Sequence, residues 1–331
     1  MPDAIAACLC YLGTEDGLVI ARLGERLEVI DEALGGEAIR AISVHPEDPT
    51  RALVGCGLRG RGLARVSIDA EEEGATTRAV GFEDRWVWGL ARDPTDSDRL
   101  YVGTEPPMVH RSTDGGRSFR PCSSLEDLES REEWTFFHDP FRAGHVHGFA
   151  IHPDRPERIY AGVEHGALLY SPDGGETWHD TAVGIDAHRL AVDPRDPVRV
   201  LAGTGGGLRE STDGGETWTL QSALANRYVH AVQFDPTDPD RVYVYTADDG
   251  DPIHASEDGG RTWTSIAEGL PAARPADTLR LHPADASRLL YAADVEEGGR
   301  VYVGTDRGQS WEALERSVGK PWRLAVAPLP S

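Results

Sequence analysis

The chain has 331 residues, with 56 Asp and Glu against 33 Lys and Arg and a formal net charge of −23. That balance argues against a sequence-wide attraction to nucleic acid or to an anionic membrane surface. Cys8, Cys10, Cys56 and Cys122 lack metal-knuckle spacing and a domain this large needs no disulfide staples, so they read as reduced, mostly buried thiols. Residues 1–10 lack the basic segment of a signal peptide and no apolar run is long enough to span a bilayer, so the expected compartment is the cytoplasm.

Taken in order, residues 4–12, 18–23 and 27–30 predict three short strands, the first followed by a loop at 13–17. From there a marker recurs: an apolar strand ending in His-Pro, Asp-Pro or a variant, then polar turn residues, then a Tyr/Val-rich strand ending near Gly-Thr. Its prolines are Pro46, Pro94, Pro153, Pro194, Pro236, Pro283 and Pro328, spaced 48, 59, 41, 42, 47 and 45 residues apart. A period of about 40 to 50 residues with four short strands per unit is a propeller signature. The clearest unit predicts strands within 190–192, 198–202, 208–211 and 218–221. Seven markers predict an all-β, seven-bladed β-propeller of four-stranded antiparallel blades, read as one domain over 1–331. Too little chain follows Pro328 for a further blade, so blade seven is predicted from 4–31 plus the strand within 321–331, which closes the ring. An insertion at about 120–146 and an irregular first blade, 39–81, interrupt the repeat. Long loops on a rigid scaffold are often functional.

A second repeat lies between the third and fourth strands. Residues 211–218 read Ser-Thr-Asp-Gly-Gly-Glu-Thr-Trp, with close copies at 112–119, 171–178 and 256–263 and a degraded one at 304–311, where Gly304 replaces Ser. Asp and Ser suit hydrogen bonds to nearby backbone, glycine supplies the positive φ of a tight turn, and the terminal aromatic buries apolar surface beneath it. This pattern is the Asp-box, and the chain resembles the Asp-box propeller group of bacterial sialidases, xyloglucanases and sortilin-type receptors. The resemblance implies the fold along nearly the whole chain and places the boxes away from any active site.

With the register set, the residue six before each marker proline falls near the start of the innermost strand: Arg40, Trp88, His147, His188, His230, Asp277 and Trp322. His147, His188 and His230, from consecutive blades, suit ligation of a divalent metal. Equally, such residues hydrogen-bond neighbouring blades. Loops after the second strands add Glu15, Glu105, Glu164 with His165, Asp248 with Asp249, and Asp294. Of these, Glu105 or Glu164, flanking the histidines, are candidates to complete a metal site or act as general base, with His165 beside Glu164. The ordinary alternative is a solvated acidic turn. Arg40, Arg189, Asp277, Trp88 and Trp322 are candidate ligand-binding residues, and the insertion adds His138 and His145 as parts of a lid.

The resemblance carries over no catalytic residue. Sialidases of the group use an arginine triad introduced by Phe/Tyr-Arg-Ile-Pro on six blades, whereas this chain has Phe141-Arg142-Ala143 and seven markers, which argues against sialidase activity. Xyloglucanases place two catalytic Asp between two propellers; one is expected here. The sequence therefore supports a metal-dependent hydrolase or lyase acting on a small, anionic or sugar-like ligand, with a non-catalytic protein- or glycan-binding scaffold as the competing class.

Overall fold

A computed structural model describes residues 6–57, 62–69, 74–136, 142–248, 250–272, 274, 276–296 and 298–330. They form seven four-stranded antiparallel sheets, and the fold is a seven-bladed β-propeller. Helix is confined among them to single 3-10 turns of three to five residues, none long enough to cross a membrane. The chain packs as two compact units. One holds Met1–Asp84, Asp249–Pro252 and Ile266–Ser331, and contains blades six, seven and one; the other holds Arg85–Asp248 and Ile253–Ser265, and contains blades two to five.

Blade four shows how the local sequence sets a blade. Its strands are Ala187–Asp193, Asp196–Thr204, Gly207–Ser211 and Thr219–Leu220; the first three are longer than the predicted 190–192, 198–202 and 208–211 because flanking residues continue the ladder, and the fourth is shorter than the predicted 218–221. Val200, Leu201 and Ala202 run fully buried through the second strand, as expected of a sheet covered on both faces. The core accordingly lies between blades: Tyr160 and Leu168 of blade three pack with Leu190, Val200 and Ala202 of blade four. Gly162 belongs to this packing, because a Cβ there would stand 2.7 Å from the His188 carbonyl oxygen.

The Asp-boxes fold as turns. In the fourth-blade box Asp213 accepts from the Thr217 amide (2.9 Å), the Thr217 hydroxyl (2.6 Å) and the Ser211 hydroxyl (2.8 Å), while Gly214 and Gly215 take φ of +79° and +87°. The Trp does more than cover its own turn. Trp218 Nε1–H reaches Thr181 of blade three at 3.0 Å, and Trp263 Nε1–H reaches Gln221 of blade four at 3.4 Å, so each ties its blade to the one before.

Blade seven pairs Pro321–Pro328 with Cys8–Thr14, which pairs in turn with Gly17–Leu23 and Leu27–Ala33. The first hairpin is tighter than the predicted 13–17 loop, since Gly13 and Thr14 stay in the strand. All four cysteines are buried thiols. In the insertion, Ser123–Asp127 and Glu129–Glu133 form 3-10 turns, and buried Trp134 anchors them through Nε1–H to Ser130 Oγ at 3.0 Å.

Candidate functional site

In blades one to five the inner strand breaks register around the residue six before the marker proline: between Ile39 and Ala41, Val87 and Gly89, Val146 and Gly148, Ala187 and Leu190, and Val229 and Ala231. A bulge places an extra residue out of the ladder and re-aims its side chain. Arg40, Trp88, His147, His188 and His230 occupy these bulges, with Arg189 beside His188. Two residues before these positions stand Trp86 and His145, which open the inner strands of blades two and three, and Asp186 and Tyr228, which lie just ahead of the inner strands of blades four and five.

The three histidines of blades three to five come together. Ring centroids are 5.9 Å apart for His147 and His188, 5.0 Å for His147 and His230, and 4.9 Å for His188 and His230. Their ring nitrogens group with carboxylates rather than as the predicted three-histidine set. One group of closely spaced donors is His145, His147 and Glu164, the other Glu164, Asp186 and His188, the donor atoms of each lying within 4.8 Å of one another. His230 stands in neither and stacks on the His188 ring at an interplanar angle of 27°.

Glu164 ends the second strand of blade three opposite His145, whose Nε2–H donates to Glu164 Oε2 at 2.9 Å; His147 Nδ1 lies 3.3 Å from the same oxygen. His188 Nδ1–H donates to the Val229 carbonyl oxygen at 2.9 Å, which turns Nε2 toward the Tyr228 hydroxyl at 3.0 Å and Asp186 Oδ2 at 3.4 Å. The histidines are buried, whereas the Glu164 and Asp186 side chains keep 14% and 19% of their exposure, so the cluster is reachable through its carboxylates.

Burial and charge act against each other here. Burial lowers the pKa of His147 and outweighs the nearby Glu164 carboxylate. For His188 burial is outweighed, and Asp186 and Glu164 raise its pKa. Burial alone would raise Glu164, but facing His145 and His147 hold it well below the usual carboxylate range. Asp186 is lowered in the same way, burial being offset chiefly by His188, and burial raises the Tyr228 phenol.

The remaining predicted residues fall into three situations. Around the cluster, Trp88 stacks on His145 at 3.9 Å and donates Nε1–H to fully buried Glu105 at 2.9 Å, so Glu105 anchors a tryptophan instead of joining the donors. His165 is more exposed, stacks on Phe136 at 4.6 Å and donates its backbone N–H to Asp186 at 3.2 Å. Asp248 accepts the Tyr228 N–H at 3.1 Å. In the other unit, Asp277 takes Arg280 at 2.6 and 2.7 Å and buried Arg323; Arg323 Nε–H also donates to the Arg40 carbonyl at 2.8 Å, and the Arg40 guanidinium lies 3.9 Å over the Trp322 ring. There Asp277–Arg323 and Arg40–Trp322 are contacts between blades, while Trp322 also donates to Glu15 of its own blade at 3.3 Å and Asp294 pairs with Arg274 at 3.2 Å. His138 and Asp249 lie outside the described residues. Asp186 and Tyr228 are the members of the site that the repeat register did not single out.

Residues 206–327 match the Sortilin-Vps10 family, described as sortilin, neurotensin receptor 3. A xyloglucanase of Acetivibrio thermocellus is 28% identical over 295 residues, covering 76% of this chain and 33% of its own length. The chain resembles the sortilin, xyloglucanase and sialidase group of propellers. It spans about a third of the length of the curated xyloglucanases it matches. Among solved structures, the periplasmic gluconolactonase of Pseudomonas aeruginosa has a TM-score of 0.68 at 15% identity, covering 98% of this chain and all of that one. An ancestral GH74 enzyme has a TM-score of 0.60 at 16% identity, with 87% and 38% covered. At these identities the structures attest the fold.

Proposed function

We propose that blades three and four hold a divalent-metal site that acts on a small, oxygen-rich, sugar-like molecule as a hydrolase or lyase. The observation that carries this reading is the convergence of His145, His147 and His188 at bulged strand starts with Glu164, at the end of a second strand, and Asp186, just ahead of a first one. Imidazole and carboxylate together suit Zn, Mn, Fe or Ni rather than soft-metal chemistry. A bound dication supplies Lewis acidity toward a carbonyl, phosphoryl or glycosidic oxygen. The protein's own groups do the rest. The Val229 carbonyl fixes the His188 tautomer, as an outer partner of a metal-binding histidine does. The Tyr228 phenol, kept protonated by burial, can donate a hydrogen bond to a ligand oxygen, and partly exposed Glu164 and Asp186 mark the approach. The xyloglucanase name of the sequence relatives supports a carbohydrate-like ligand.

The test is elemental analysis of protein purified without chelators, for wild type and His188→Ala, with turnover of chromogenic glycosides, sugar esters and lactones measured before and after metal stripping. The reading expects bound divalent metal that falls in His188→Ala and turnover that returns when the ion is restored. Protein that carries no metal and takes up none on dialysis would overturn it in favour of a binding scaffold.

A further inference from the structure

The donors fall into two close groups joined by one residue. Each of the two triplets offers three donors, and they share only Glu164: His145, His147 and Glu164 come from blade three, Asp186 and His188 from blade four. The geometry points to a binuclear centre in which the Glu164 carboxylate bridges one divalent ion held by His145 and His147 and a second held by Asp186 and His188. It rests on the metal-binding reading above and adds the number and placement of the ions.

Three observations argue for two ions. Donors bound to one tetrahedral ion at about 2.1 Å stand about 3.4 Å apart. His147 Nδ1 to Glu164 Oε2 is 3.3 Å in one triplet, and His188 Nε2 to Asp186 Oδ2 is 3.4 Å in the other. Both pairs are therefore already at ligand spacing before an ion draws them in. The His147 Nδ1 contact is not a hydrogen bond, although the atom is buried, and the orientation of His188 is set from behind by the Val229 carbonyl. Two carboxylates and three neutral imidazoles against two dications leave two positive charges, room for a hydroxide and an anionic group. Paired ions about 3.5–4 Å apart stabilise both the attacking and the leaving oxygen of a displacement. That narrows the substrate class to molecules whose reaction develops an oxyanion: esters, lactones or phosphoesters of a sugar-like body.

The full chain would be stripped with a chelator, dialysed, and titrated with Mn(II), with bound ions counted by elemental analysis and the spin state read by low-temperature electron paramagnetic resonance. Two ions per chain with an exchange-coupled spectrum is the expected result. One ion with an isolated six-line spectrum overturns the binuclear centre and leaves the single-metal reading standing; no ion overturns both. Asp186→Asn, checked for a wild-type melt, is expected to take the count from two to one and abolish the coupling, and a count still at two overturns the assignment. His230→Ala, outside both triplets, is expected to keep two ions; losing one would overturn the donor grouping.

Discussion

His147 and His188 carry the same imidazole and are both buried, yet their pKa values shift in opposite directions because of what faces them. Around His188 stand Asp186, Glu164, His147 and the Tyr228 hydroxyl; Asp186 and Glu164 raise it above the ordinary 6.5. At His147 the desolvation cost wins and its pKa falls. In metal-free protein, nuclear magnetic resonance titration should place His188 above and His147 below 6.5, and Asp186→Asn should lower the His188 value; an unmoved His188 would contradict the pairing. Glu164 gives a second pH dependence. Its folded pKa is depressed below the ordinary 4.5, so its contribution is present above 4.5 and lost as pH falls through the folded value. The stability of Glu164→Gln should therefore fall less steeply than wild type below pH 4.5, by at most about 1.4 kcal/mol per pH unit, as measured by chemical denaturation of stripped protein.

At the scale of the strand, the site depends on close approach between blades. Gly162 lacks a Cβ where one would meet the His188 carbonyl oxygen at 2.7 Å, while Gly206 looks onto open space. Gly162→Ala should cost about 1–3 kcal/mol through overpacking and weaken metal uptake by displacing His188, whereas Gly206→Ala should stay within about 0.5 kcal/mol of wild type; denaturant midpoints and metal titration separate the two. Much of this element was legible from the chain. Counting back from Pro153, Pro194 and Pro236 placed His147, His188 and His230 at equivalent positions, because the repeat fixes which residue starts each inner strand. The count did not find Asp186 or Tyr228, which stand two residues earlier. They sit in the connections just ahead of strands that begin at Ala187 and Val229 and across a register break from the histidines, where neither the repeat count nor strand periodicity applies. Nor could the count foresee that Glu105 turns to Trp88 while Glu164 turns to the histidines, since ladder position alone does not decide it: Glu105 lies opposite Trp86 yet accepts from Trp88, whereas Glu164 accepts from His145 directly opposite it.

For the whole molecule, the seven markers correspond to the seven sheets, and the seventh joins Pro321–Pro328 to three strands from the other end of the chain. Deleting 321–331 removes the ladder running from Cys8 opposite Pro328 to Thr14 opposite Pro321. At about 1 kcal/mol for each backbone hydrogen bond, plus the apolar cover lost from Leu12 and Cys10, the loss approaches the 5–15 kcal/mol that holds a typical domain together. The truncated chain should lose its cooperative melt in calorimetry, and an unchanged midpoint would refute the claim.

The pairing of Cys8–Thr14 with Pro321–Pro328 also has a history in time. During synthesis at about 5–20 residues per second, the first of these strands waits about 15–60 s for its partner to emerge, with an apolar edge open to any other strand in reach. A circularly permuted gene opened between blades seven and one, within 34–38, and joined through the present ends would deliver the two strands as neighbours. Its product should refold with less aggregation than the natural order while melting at a similar temperature, which would show that the cost of this closure is kinetic and falls on the nascent chain.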